Sequence, residues 1–224
     1  MTRTATIEKL AGLIAGIDLG RPVRVGIDGN SCSGKTRLAD ELIEPVRSHG
    51  RPVIRASMDG FHHPADFRRR QGADSPKGYY EDSFDMDAVK DCVLLPLGPD
   101  GNRNYQASQF DFRTESEAET GWEKAEANAV LIFEGVFLHR PELVPHWDFT
   151  VYVEVHPETT LQRALARDRD LFGSESLVRH KYENRYMPGQ EMYREACDPF
   201  NTAHVVFDNN RIECPAMVIQ RSFG

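Results

Sequence analysis

An α/β sandwich built on a five-stranded parallel sheet is predicted by three features of this chain. Short apolar runs rich in β-branched residues recur along it, and stretches with apolar residues at helical spacing separate them. The first run also leads directly into a glycine-rich loop, after which a helical pattern begins. Strands alternating with helices form parallel βαβ units, whose right-handed crossovers leave the ligand site at the carboxyl ends of the strands.

Residues 7–17 set Ile7, Leu10, Ala11, Ile14 and Ala15 on one helical face, and residues 23–27 form the first buried strand. Residues 36–44 continue as a helix carrying Leu38, Leu42 and Ile43, which Pro45 and the Ser48-His49-Gly50 segment should end. Residues 52–58, 130–133, 149–155 and 203–207 supply the other four strands. Between the last two, residues 157–170 read as a helix with Leu161, Ala164 and Leu165 facing inward. Residues 98–104, GPDGNRN, are a surface turn.

The bulk properties narrow the function classes. A length of 224 residues suits a single domain over residues 1–224. No apolar run approaches the roughly 18 residues of a membrane helix, and the first ten residues lack the apolar core of a signal peptide. Cys32, Cys92, Cys197 and Cys214 show no paired spacing, so reduced thiols and a cytoplasmic location are expected. A net charge of −8 argues against a nucleic-acid partner, because such binding draws on Lys and Arg neutralising the phosphate backbone. The oligomeric state is open, a homo-oligomer included.

Gly29, Asn30, Ser31, Cys32, Ser33, Gly34, Lys35 and Thr36 fit the phosphate-loop pattern G-x-x-x-x-G-K-T between a strand and a helix. Glycines there let backbone N–H groups converge on a β-phosphate, and the following helix adds partial positive charge. Lys35 is expected to bridge the β- and γ-phosphates and the Thr36 hydroxyl to hold Mg2+, which makes the fold a three-layer αβα sandwich of the P-loop NTPase type. Asp59, after the second strand, is the candidate general base, with an Asp-Gly turn as the competing reading. Glu134 occupies an acidic strand end suited to Mg2+ or a metal-bound water, and an acid there can also cap the next segment. ATP and Mg2+ are the expected cofactors, with Thr36, Glu134 and Asp59 around the metal.

Several segments occur in a recognisable order: GIDGNSCSGKT at 26–36, MDGFH at 58–62, DSFD at 82–85, FDFRTES at 110–116, FEGVF at 133–137 and ARD at 166–168. Over nearly the whole chain this order resembles the uridine kinase family, within the P-loop kinases that include phosphoribulokinase and bacterial pantothenate kinase. The resemblance implies ATP as donor and Asp59 as base. It also implies a helical lid at about residues 163–190, with Arg163 and Arg167 on the nucleotide and Arg169 toward the substrate, and an acceptor-binding insertion at about residues 60–120. In uridine and cytidine kinases a tyrosine and a histidine face the pyrimidine where this chain has Phe110 and Glu115, and Tyr79 aligns with their ribose-binding aspartate.

The resemblance makes a nucleoside the first expected acceptor; a sugar, a sugar phosphate or a pantothenate-like alcohol is the alternative. His62 beside the acceptor hydroxyl and Tyr79 as a pocket wall are further substrate candidates, although Tyr79 could also simply pack. His62 and His63 lack a third ligand at zinc-site spacing. The Arg68-Arg69-Arg70 run reads either as an anion-binding element or as a solvated loop. Asn209 and Asn210, after the fifth strand, meet the adenine edge or form a plain turn. A regulatory ATP-binding protein without turnover would need only the phosphate loop.

Overall fold

The structure, a computed structural model, describes residues 1–221. Helix α1 (Arg3–Ala15) is capped by the Thr2 hydroxyl and precedes β1 (Val23–Gly29), the glycine loop, α2 (Lys35–Glu41), α3 (Ile43–Ser48) and β2 (Val53–Ser57). A 3-10 turn at Met58–Phe61 leads to α4 (Ala65–Arg68), α5 (Pro76–Asp82) and α6 (Met86–Val89). Two small hairpins follow, pairing β3 (Asn104–Tyr105) with β6 (Glu123–Lys124), and β4 (Phe110–Asp111) with β5 (Ser116–Glu117). Next come β7 (Val130–Gly135), β8 (Phe149–Glu154), α7 (Pro157–Arg167), α8 (Arg169–Phe172) and α9 (Glu175–Lys181). The described chain continues through α10 (Met187–Cys197), α11 (Pro199–Thr202), β9 (Val205–Asp208) and β10 (Ala216–Ile219).

The main sheet has the order β10-β9-β8-β1-β7-β2. All five expected strands are present and mutually parallel. The sixth, β10, was not expected; it runs antiparallel to β9 at the edge, with Ala216 opposite Asp208. A four-residue apolar run does not declare itself a strand until its ladder partner is known.

Each face of the sheet is covered, as three layers require. One face packs Val23, Val25, Ile27, Val130 and Ile132 against α1, α2 and α3. On the other, Ile54, Ala56, Leu131 and Phe133 meet Tyr79, the 89–94 segment and Tyr193. Because side chains alternate along a strand, β1 presents Arg24, Gly26 and Asp28 to this second face, where the Trp147 ring lies across Gly26. A third, smaller cluster joins Cys32 of the glycine loop to Ala164, Val178 and Tyr182.

Two boundaries differ from expectation for local reasons. Pro45 does not end a helix; it lies in the first turn of α3, where its missing N–H has no intrahelical partner to lose. The helix expected over residues 157–170 breaks at Asp168, whose carboxylate accepts hydrogen bonds from Arg167 and Tyr182. No helix among the described residues is long and apolar enough to cross a membrane.

Buried charge also fastens the amino-terminal ends of β1 and β8, opposite the site. Asp148 accepts from Arg21 at 2.7 and 2.8 Å, from the Arg24 side chain at 3.0 Å and from the Arg24 backbone N–H at 2.9 Å. Burial alone would raise its pKa, but these donors overcome burial and hold it at about 2. A carboxylate depressed in this way adds stability that is complete above its unfolded pKa and disappears as pH falls through the folded one. Asp148→Asn is therefore expected to lower the unfolding free energy by about 2 kcal/mol at neutral pH. In urea titrations over a pH series, the gap to the parent protein should close between about pH 4 and pH 2.

Candidate active site

The glycine loop leaves β1 and bends sharply enough to need unusual backbone angles: φ is +59° at Cys32 and +94° at Gly34. A Cβ at Gly34 would lie 2.5 Å from Asn209 Nδ2, so only glycine fits where the loop passes the β9 end. No side chain caps the start of α2, which leaves its first N–H groups facing the loop's concavity. Lys35 Nζ donates to the Asn30 carbonyl at 2.8 Å across the mouth. Burial lowers the Lys35 pKa, while Glu134, Asp28 and Asp59 pull it back up. The Ser33 hydroxyl is buried without a hydrogen-bond partner among the described residues. An uncapped helix start, a lysine at the mouth and an unsatisfied hydroxyl fit a nucleotide's phosphates.

Parallel register brings the acidic residues alongside. Glu134 pairs with Ile27 on one side and Ser57 on the other, so the ends of β1, β7 and β2 lie level. Ser57 Oγ donates to Glu134 Oε1 at 2.8 Å and Arg55 approaches the same oxygen at 3.4 Å. Thr36, Ser57, Asp59 and Glu134 all line one cleft of about 1340 Å³. This hydroxyl and carboxylate set suits Mg2+, a hard cation that takes oxygen ligands and shares them with phosphates. Among the described residues no group of three His, Cys, Asp or Glu forms a site that could hold a metal by itself.

Asp59 is fixed by its backbone, and its carboxylate stays exposed. Its N–H donates to Ser57 Oγ at 3.2 Å, and its carbonyl lies 3.0 Å from His62 Nδ1. The following Gly60 allows the segment before β4 to close in, since a Cβ there would stand 2.7 Å from Ser108 Oγ. The Gly60 carbonyl accepts the Gln109 N–H at 2.8 Å. Asp59 also borders a smaller pocket of about 540 Å³, beside Phe110 and Phe112.

The acceptor candidates divide. Phe110 lines the smaller pocket. Glu115 lines the main cleft in a left-handed turn (φ +53°), but its carboxylate accepts from the Ala65 N–H at 2.8 Å and from the Arg68 guanidinium. His62 lies between the Phe84 and Phe112 rings, at 4.4 and 4.6 Å between centroids, and burial lowers its pKa. Tyr79 does not line the cleft: it is buried, with its hydroxyl 3.3 Å from Gln190 Nε2 and 3.5 Å from Ser31 Oγ, and burial pushes its pKa to about 12. Arg169 is also outside the cleft, on the surface 3.5 Å from Glu175.

The remaining candidates brace the loop. Arg163 reaches the carbonyls of Ser33 at 3.3 Å and Asn209 at 2.7 Å, tying α7 to both loops. Asn209 donates to the Ser33 carbonyl at 2.7 Å and accepts from Arg3 at 2.9 Å, so both ends of its buried amide are engaged within the protein. Arg167 pairs with Asp168 at 2.6 Å and lines the cleft. The Cys32 Sγ lies 3.2 Å from Tyr182 Oη, in the apolar cluster that also holds Ala164 and Val178.

One functional cluster escaped sequence reading. Asp28, with no solvent exposure, accepts the Gly29 N–H at 2.7 Å, His139 Nδ1 at 2.7 Å and the Tyr193 hydroxyl. Tyr193 in turn accepts the His139 backbone N–H at 2.8 Å. Asp28 sits in a strand that also carries Arg24, so its charge alone did not mark it, and neither distant partner could be inferred from spacing.

A phosphate loop facing an acidic strand end and an exposed carboxylate across one cleft defines the protein as a P-loop kinase. The chain belongs to the Phosphoribulokinase / Uridine kinase family, whose model matches residues 24–213. It is 29% identical over 190 residues to a uridine kinase of Lactobacillus helveticus, covering 81% of this chain and 83% of that one. It is 24% identical over 150 residues to the uridine/cytidine kinase UKL1, chloroplastic, of Arabidopsis thaliana, covering 66% of this chain but only 30% of that protein's length. A solved structure described as a possible uridine kinase from Bacillus stearothermophilus superposes with a TM-score of 0.72 at 25% identity, over 91% of this chain and 98% of the other.

Tyr193→Phe keeps the ring but takes a donor from Asp28 and an acceptor from His139. It is expected to cost about 1–3 kcal/mol, the penalty of leaving buried polar groups unpaired, measured by urea denaturation.

Proposed function

We propose that the protein transfers the γ-phosphoryl group of MgATP to a hydroxyl of a small metabolite, with Asp59 as general base. The observation that carries this reading is Asp59 itself: an exposed carboxylate, without an ion pair among the described residues, in the same cleft as Thr36 and Glu134. The loop N–H groups and Lys35 bind the β- and γ-phosphates, and Thr36 and Glu134, steadied by Ser57, hold the metal side. Bound Mg2+ supplies neutralisation of the charge that develops on the transferred group. Asp59 orients the acceptor hydroxyl and takes its proton as the oxygen attacks. Residues 60–120 are the acceptor side, and the helices over residues 163–190 form the lid over the phosphates, with Arg167 at the cleft. A regulatory ATP-binding protein would have no use for a free carboxylate at that position.

The names of the relatives support uridine and cytidine as the first acceptors to assay. The commitment of Tyr79 to Ser31 and Gln190, and of Glu115 to Arg68 and Ala65, favours instead a sugar-like or other non-pyrimidine alcohol. Location in the cytoplasm, where ATP and such acceptors occur, accords with this reading.

Asp59→Asn is expected to reduce kcat by about 10²- to 10⁴-fold while leaving MgADP affinity within about twofold. Coupled ADP-release assays and calorimetry check the two halves, and retained turnover removes Asp59 as the base. Glu134→Gln should raise the Mg2+ concentration needed for half-maximal rate, read from a Mg2+ titration at saturating ATP; an unchanged requirement takes Glu134 out of the metal site.

A further inference from the structure

Resting on the kinase reading above, we infer that the acceptor is itself an anion: a small alcohol carrying a phosphate or carboxylate, held by Arg69 and Arg113. The cleft's charges lead to this conclusion one pair at a time. Five arginines and five acids line it. Arg55 is joined to Asp40 at 3.0 Å and to Glu134 at 3.4 Å, Arg68 to Glu115, and Arg167 to Asp168. Asp59, the base, keeps its carboxylate for the hydroxyl. Arg69 and Arg113 then remain, with no carboxylate partner among the described residues.

The neighbours of these two arginines are all satisfied, which makes them stand out. Within the Arg68-Arg69-Arg70 run, Arg68 belongs to Glu115, and Arg70 to the buried Asp82 while its guanidinium lies 4.0 Å over the Phe67 ring. Only the middle arginine is open. Arg113 has its guanidinium 5.5 Å from the Phe112 ring centroid and is held at the β4–β5 turn by its N–H to Asp111, at 2.9 Å. A chain with a net charge of −8 has ample acid, yet neither guanidinium forms an ion pair among the described residues.

Their placement assigns them to the acceptor rather than to ATP. Arg69 follows α4 and Arg113 sits in the β4–β5 hairpin, both in the stretch of chain after Asp59, whereas Thr36 of the phosphate loop and Arg167 of α7 come to the cleft from other elements. Arg113 also borders the smaller pocket, which contains Asp59 and no residue of the glycine loop. That pocket carries Asp111, Glu117 and Glu119 as well, so the anionic group belongs in the main cleft, which both arginines line. Guanidinium forks match phosphate and carboxylate oxygens and keep their charge at all working pH values.

The test uses the whole protein saturated with MgADP, so that the phosphate loop is filled and no transfer occurs. Fructose 6-phosphate and gluconate are titrated calorimetrically beside their neutral counterparts fructose and glucitol, with inorganic phosphate as a skeleton-free probe. At least one anionic probe should bind where its neutral counterpart does not. Arg69→Ala and Arg113→Ala should each weaken that binding by about ten- to a hundredfold, the loss of a charge-assisted hydrogen bond, with MgADP affinity unchanged. Arg47→Ala, which removes an exposed charge on α3, should leave it unaltered. Binding of the phosphate ester alone or of the carboxylate alone supports the inference and identifies the anion.

The inference is overturned if no anionic probe binds at millimolar concentration, if neutral and anionic probes bind alike, or if the arginine substitutions weaken MgADP instead. Failure of the kinase reading looks different: an anion that binds through Arg69 and Arg113 but is not phosphorylated when ATP replaces ADP. Phosphorylation of a neutral alcohol with no anion bound keeps the kinase and removes the inference.

Discussion

Asp28 has no solvent exposure, and it stands at the residue where β1 becomes the phosphate loop. A buried carboxylate must be fully hydrogen-bonded or the fold loses several kcal/mol, roughly the margin by which domains are stable at all. Three parts of the chain meet that demand: the loop's own Gly29, His139 beyond β7, and Tyr193 on α10. The helix that carries Tyr193 also carries Gln190, which reaches Ser31 of the loop at 2.8 Å and Tyr79 on α5. The phosphate loop is thereby set from below and from the α5 side by one polar network.

From its other flank the loop is held by α7, α9 and the end of β9. Arg163 and Asn209 bind the Ser33 carbonyl, and Cys32 enters the small apolar cluster of Ala164, Val178 and Tyr182. A loop braced in this manner presents its N–H groups without having to be ordered by the nucleotide, which keeps binding energy for the transition state. The arrangement also explains why residues that resemble ligand contacts in the sequence, such as Asn209 and Tyr79, are internal braces in the structure.

Arginine is used in two ways in this molecule. Arg21, Arg24, Arg163 and Arg70 lie against carboxylates or carbonyls and fasten elements together. Arg69 and Arg113 line the cleft and form no ion pair among the described residues. The difference arises from geometry alone, since all six are the same residue type in an acidic chain.

The sequence by itself determined the five parallel strands of the sheet, the phosphate loop and the acidic strand ends. Each of these depends on local order: β-branched runs between helical repeats, glycines at fixed offsets before Lys35 and Thr36, and acids immediately after strands in parallel register. Tertiary structure alone decided which polar side chains were free. Asp28 found partners 111 and 165 residues away, and Glu115 was neutralised by Arg68, 47 residues earlier. Whether a carboxylate or guanidinium is available to a ligand depends on what packs against it, and contacts across such separations leave no periodic trace in the chain.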